Sequence, residues 1–135
     1  MSRVKVGFVG VGGIATTHLK NLAKDDRVEI VSVCDIAEEH AIQTGNLYDA
    51  TAYTDANDML DNEDLDALFI CIPPFAHSDI EVKAARKGIH LMVEKPVHLN
   101  IEKAKENLME IQQSGVLCAS GYCLRYLDTV KRAKE

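Results

Sequence analysis

At 135 residues, with 47% hydrophobic and 27% charged positions, the chain has the size of one globular domain and enough apolar residues for a core. A net charge of −6 argues against gripping a nucleic-acid backbone, and no apolar run reaches the length of a bilayer span. Met1, Ser2 and Arg3 lead directly into the first apolar run, so no signal peptide is expected and the cytoplasm is the expected compartment.

The first run, residues 4–9, is rich in valine and reads as a strand buried on both faces. It stops at Gly10-Val11-Gly12-Gly13-Ile14-Ala15, after which Ala15, Leu19, Leu22 and Ala23 recur at helical spacing. Strand, glycine turn and helix form the context in which a G-x-G-x-x-G/A match carries meaning. Gly10 permits the tight turn, Gly12 lets backbone approach a pyrophosphate, and Ala15 keeps helix and strand close. The first N–H groups of the helix, from Gly13 and Ile14 onward, then face the phosphates.

A second apolar run, residues 28–34, ends in Asp35. That places a carboxylate about 20 residues beyond the loop, where an acid accepting ribose hydroxyls is expected. Asp35 also suits the start of a helix over residues 37–44, with Gly45-Asn46 as its stop. Residues 51–53 read as a short strand, and Asp55 to Leu60 as a short capped helix whose acids fit a helix N-terminus rather than a metal site.

Residues 66–72 form another buried strand, stopped by Pro73-Pro74. A helix follows over residues 77–87, with Ile80, Ala84 and Ala85 inward and Gly88 closing it. His77 is placed to cap or open this helix. Residues 89–93 are a strand ending at Glu94-Lys95-Pro96. Asn100 caps a helix through Gln113, with Ile101, Ala104, Leu108 and Ile111 on its inner face and Gly115 as its stop. Residues 116–120 are the last strand, and a helical pattern from Leu124 places Leu127 and Val130 on one face.

The alternation predicts an α/β fold: a doubly wound, mostly parallel Rossmann sheet with helices on both faces. Its ligands sit beyond the carboxyl ends of the strands. That rule gathers Gly10 to Ile14, Asp35 with Ile36, Ile72 to Pro74, Glu94 to Pro96 and Gly121 to Arg125 on one rim. The cysteines Cys34, Cys71, Cys118 and Cys123 contain no C-x-x-C pair, so free buried thiols are expected and no metal site. No G-x-S-x-G, H-E-x-x-H or Walker loop occurs, and Tyr122 and Tyr126 read as packing residues.

Taken together, Gly10-Val11-Gly12-Gly13-Ile14-Ala15, Cys34-Asp35, Pro73-Pro74-Phe75-Ala76-His77, Gly88 through Pro96 and Gly121 through Tyr126 resemble the nucleotide-binding domain of the Gfo/Idh/MocA oxidoreductases. The resemblance runs through nearly the whole chain in order, and the Glu94-Lys95-Pro96 triplet is its most specific part. It implies a dehydrogenase using NAD to oxidise a sugar or polyol. Lys95 then reaches the nicotinamide ribose and the substrate hydroxyl, Pro73, Pro74 and His77 line the cofactor turn, and Arg125 stands near the nicotinamide end. It also implies a second α/β domain that supplies most substrate contacts, with residues 1–121 as the cofactor domain and 122–135 as the start of the connection. Without that second domain, the face bearing Leu127 and Val130 is exposed, and a homo-oligomer is expected.

The chemistry follows independently of any family. Oxidising a secondary alcohol removes a hydride from carbon and a proton from oxygen. A lysine beside the cofactor holds the hydroxyl and stabilises the developing alkoxide. Lys95 is the candidate for that role, its alternative being a surface lysine paired with Glu94. A cis Lys95–Pro96 bond would re-aim the side chain into the cleft. Asp35 would repel a 2′-phosphate, and no Lys or Arg follows it through Glu39, so NAD is expected over NADP. A non-catalytic NAD sensor and a ligand-free remnant are the other readings that the sequence leaves open.

Overall fold

The computed structural model describes residues 2–134. Six parallel strands form one sheet: β1 (Val4–Val9), β2 (Val28–Cys34), β3 (Thr51–Tyr53), β4 (Ala67–Ile70), β5 (His90–Val93) and β6 (Cys118–Ser120). Their order is β3-β2-β1-β4-β5-β6, so the chain winds outward from β1 in one direction and then from β4 in the other. That reversal between β1 and β4 opens a crevice at the carboxyl ends of the two strands.

Helices cover both faces: α1 (Gly13–Leu22), α2 (Glu38–Tyr48), α3 (Ala56–Asn62), α4 (Ile80–Arg86), α5 (Ile101–Ser114) and α6 (Asp128–Lys134). On the α1 side, Phe8, Ala15, Leu19 and Val33 are buried in one apolar cluster. On the other side, Met59, Leu68, Ile70, Ala84 and Leu91 form a second. Central strands with apolar residues on both faces account for the near-continuous hydrophobic runs in the sequence.

The helix expected from Leu124 is instead a 3-10 turn over Cys123–Tyr126 followed by α6 from Asp128. Three other elements differ from expectation, each for a physical reason. Helix α2 does not stop at Gly45; it continues to Tyr48 and turns at Asp49, which takes a left-handed φ of 54°. Gly45 is there for space, because a Cβ on it would lie 2.7 Å from the Ala50 carbonyl oxygen. Helix α4 begins at Ile80, not at residue 77, because Pro74–Ala76 first form a separate 3-10 turn. Helix α5 buries Asn107 and Ile111, while Ile101 and Leu108 are exposed. It packs against α4, joined there by the Arg86–Glu110 ion pair at 2.7 Å, so its buried stripe is rotated away from Ile101 and Leu108.

The caps are as the sequence indicates. Asp55 accepts from the Asn57 and Asp58 N–H groups, and Asn100 from that of Lys103. Gly88 and Gly115 close their helices at φ of 81° and 70°. Of the four free cysteines Cys34 is buried and Cys71 half-buried, but Cys118, on the edge strand β6 whose three residues are all exposed, and Cys123, in the turn that follows it, are exposed.

Gly45→Ala separates the two readings of that glycine. As a mere helix interruption, alanine there would stabilise the fold by about 1 kcal/mol. As a site of close approach it should destabilise by about 1–3 kcal/mol, measured as a lower urea midpoint with an unchanged slope.

Candidate functional site

A cleft of about 720 Å³ lies over the carboxyl ends of β1, β2, β4 and β5. It takes its floor from Gly10. This residue sits at φ 85°, and a Cβ there would lie 2.6 Å from the Cys71 carbonyl oxygen. Two backbone bonds hold the crossing, Gly10 N–H to the Cys34 carbonyl at 2.8 Å and Cys71 N–H to the Val9 carbonyl at 2.8 Å. Gly12 and Gly13 are different. A Cβ on either would meet nothing within 4 Å, and both line the cleft. The open space above them is a cradle that side chains would fill. Gly12 precedes α1 with no side chain capping it, so the first N–H groups of that helix lack intrahelical acceptors and offer positive partial charge to an anion.

Asp35 fixes the neighbouring wall. Its Oδ2 accepts the Val11 N–H at 3.1 Å and its Oδ1 accepts the Ala37 N–H at 2.9 Å. One carboxylate therefore ties the glycine loop to the entry of α2. Each oxygen retains a lone pair for a further donor, since an ionised carboxylate offers about four acceptor sites. Ile36 beside it is almost wholly exposed, at 96%, and Phe75 is 79% exposed. Both line the cleft.

Ile72, Pro73 and Pro74 form the wall beyond β4. His77 lies behind that wall, not in the cleft. Its side chain is fully buried, with Nδ1 on the Glu81 carboxylate and Nε2 3.2 Å from the Ile72 carbonyl oxygen. It braces the proline turn instead of lining it. Burial alone would lower the His77 pKa, but the Glu81 carboxylate and the Ile72 carbonyl reverse this and hold it above the ordinary value.

Glu94 and Lys95 close the far end. Glu94 is buried, and its Oε1 lies 2.8 Å from His18 Nε2 while its Oε2 accepts the Lys95 N–H at 3.2 Å. Its carboxylate is therefore not paired with the Lys95 ammonium. Among the described residues, that ammonium makes no hydrogen bond or ion pair, and Lys95 is exposed at the cleft. The Lys95–Pro96 peptide is cis, as the sequence suggested. Pro96 does not line the cleft. Arg125 is also outside it, exposed in the 3-10 turn Cys123–Tyr126, with its guanidinium 5.7 Å from the Tyr126 ring centre.

Sequence reasoning missed part of the lining. Thr54, Asp55, Ala56 and Asn57 contribute from the β3–α3 turn, where only a helix cap was legible. Cys71 lines the cleft, but burial and then the nearby Glu94 charge push its thiol up to about 12. Burial and nearby aspartates likewise push Cys34 up to about 11, so neither is a nucleophile at neutral pH. Among the described residues no group of three or more His, Cys, Asp or Glu side chains is arranged to hold a metal ion.

Comparison with known proteins fits this geometry. Residues 4–122 match a family model described as "Oxidoreductase family, NAD-binding Rossmann fold". Myo-inositol 2-dehydrogenase of Thermotoga maritima is 26% identical over 98% of this chain and 40% of its own length. Among solved structures, the WlbA dehydrogenase of Bordetella pertussis in complex with NADH and UDP-GlcNAcA superposes with a TM-score of 0.91 at 27% identity, covering 98% of this chain and 41% of that one. Scyllo-inositol dehydrogenase from Lactobacillus casei, with bound NAD(H) and scyllo-inositol, gives 0.90 at 26%, covering 98% and 40%. The chain thus spans about 40% of the length of these relatives. It belongs to the Gfo/Idh/MocA oxidoreductase family and forms an NAD-binding Rossmann domain.

The His77–Glu81 pair has a pH signature. A folded pKa above the unfolded value of about 6.5 means that protonated His77 stabilises the fold below that pH. The contribution is lost as pH rises through the folded value. The melting temperature should therefore fall as pH rises above about 6.5, and His77→Gln should flatten that part of the profile. A wild-type profile that rises there would contradict the pairing.

Proposed function

We propose that the chain is the cofactor-binding half of an NAD-dependent dehydrogenase that oxidises a secondary alcohol of a sugar or polyol. The observation that carries this reading is the Lys95 ammonium at the end of β5, unpaired among the described residues and in the same cleft as the glycine loop and Asp35. Residues 1–121 are the cofactor domain and 122–135 begin the connection to a substrate domain. In support, the family match runs over residues 4–122 and relatives of this chain include inositol dehydrogenases.

The cradle over Gly12 and Gly13 suits a pyrophosphate, with the α1 N–H groups directed at it. The remaining lone pairs of Asp35 accept the adenine-ribose hydroxyls, and Ile36 and Phe75 offer apolar faces to the base. Ile72, Pro73 and Pro74 support the nicotinamide side, with His77 holding their turn from behind. Glu94 and Pro96 shape the strand end that presents Lys95, and Arg125, in the turn after β6, approaches the nicotinamide end. Bound NAD supplies the hydride acceptor. Lys95 donates a hydrogen bond to the substrate hydroxyl and stabilises negative charge as the proton leaves it.

This half of the site should bind NAD weakly and turn over negligibly. No second wall within residues 2–134 orients a polyol against Lys95, and positioning accounts for roughly 7–11 kcal/mol of such a barrier. Ile101, Leu108, Leu117, Leu124 and Leu127 are all exposed, which supports association of this chain with itself. Light scattering reads that directly, and a monodisperse monomer would overturn it.

Cofactor choice supplies the quantitative test. Asp35 is positioned to exclude a 2′-phosphate, so calorimetric titration should show NAD binding tighter than NADP. Asp35→Ala removes charge-assisted hydrogen bonds worth about 1.5–3 kcal/mol, and should weaken NAD by one to two orders of magnitude while narrowing the discrimination. Tighter NADP binding by the wild-type chain would refute the assignment. NAD binding without turnover in every longer chain tried would point instead to a sensor.

A further inference from the structure

His18 does not line the cleft, yet it holds a residue that does. It sits within α1, and its Nε2 lies 2.8 Å from Glu94 Oε1, a contact between residues 76 positions apart. The carboxylate is an acceptor, so this nitrogen carries the hydrogen and donates.

Glu94 has little freedom to do anything else. Its own N–H donates to the Ile70 carbonyl at 2.9 Å. A Cβ on Gly121 would lie 2.6 Å from Glu94 Oε2, so the carboxylate is laid flat against the backbone that follows β6. Its Oε2 accepts the N–H of Lys95 at 3.2 Å. The His18 ring is braced in turn by Phe69, at 5.4 Å between centroids, and Phe69 stacks on Phe8 at 4.9 Å.

We propose that His18 is a positioning residue for Lys95: by holding one oxygen of Glu94 it turns the other onto the Lys95 N–H. The helix whose first turn faces the phosphate cradle is thereby linked through two hydrogen bonds to the strand end that bears the lysine. A shift of α1 is transmitted to the Lys95 backbone, and the Lys95 end of the cleft is set by a residue outside it. This inference deepens the cofactor reading, and its ligand arm rests on that reading.

Two measurements on the 135-residue chain test it. The first needs no ligand. Amide NMR correlation spectra of His18→Leu should show displaced Lys95 and Gly121 resonances, as should Glu94→Gln. His18→Gln, whose amide can donate to Glu94, should restore the wild-type positions, and the double variant His18→Leu/Glu94→Gln should move them no further than Glu94→Gln alone. Should His18→Leu fail to fold, His18→Asn, too short to reach Glu94, takes its place. Unmoved Lys95 and Gly121 amides in the folded variant overturn the proposal. The second compares NADH with ADP-ribose, which lacks the nicotinamide. His18→Leu should weaken NADH about three- to tenfold and leave ADP-ribose within twofold, whereas an equal loss for both overturns the positioning role. If the wild-type chain binds neither ligand, the cofactor reading falls, while the amide shifts still decide whether His18 sets Lys95.

Discussion

The cleft exists because two strand ends cross with no side chain between them. At Gly10 the backbone leaves β1 at φ 85°, with the Cys71 carbonyl where a Cβ would stand. Any other residue would push β1 from β4 at the point where the winding direction reverses. The geometry that follows depends on that contact. It sets how far the start of α1 projects over the sheet, where Val11 meets the Asp35 carboxylate at 3.1 Å, and how close the proline turn after β4 lies to the glycine loop.

Charge in the cleft is arranged so that carboxylates are held by N–H donors, leaving the lysine free. Asp35 accepts from two backbone N–H groups; Glu94 accepts from one and from an imidazole. Neither draws on the Lys95 ammonium, which stays available to a ligand. A lysine paired with its neighbouring glutamate would have to break that pair before touching a substrate hydroxyl. The proposed phosphate cradle likewise draws on backbone dipoles at the start of α1, a means of holding an anion that needs no basic surface on a chain of net charge −6.

Much of this was legible because it is local. The apolar runs at residues 4–9 and 28–34 coincide with β1 and β2, and the fixed distance from loop to Asp35 follows from one strand–helix–strand unit. The Asn100 cap and the Gly115 stop are also short-range features. What escaped was decided by tertiary partners. Gly45 reads as a helix stop by composition, yet it serves the approach of Ala50. Periodicity marks Ile101 and Leu108 as apolar but cannot say which part of the stripe α4 will cover. His77 has the local signature of a helix start, and only the fold reveals Glu81 and the Ile72 carbonyl on its two nitrogens. His18 carries no signal at all, since its partner is 76 residues away.

Enclosure by the sheet decides how far an apolar pattern can be trusted. The central strands β1 and β4 send apolar residues into the clusters on both faces, so hydrophobic pattern and structure agree there. Towards β6 the enclosure ends: all three strand residues are exposed, Leu117 donates its N–H to the His90 ring at 3.0 Å, and Leu124, Tyr126 and Leu127 are exposed. The apolar sequence pattern at this edge is not matched by burial within residues 2–134. The same edge carries Gly121, whose missing Cβ leaves room for the Glu94 carboxylate. The lysine end of the cleft therefore adjoins the open margin of the sheet, where the buried Glu94 carboxylate is held from α1 by His18.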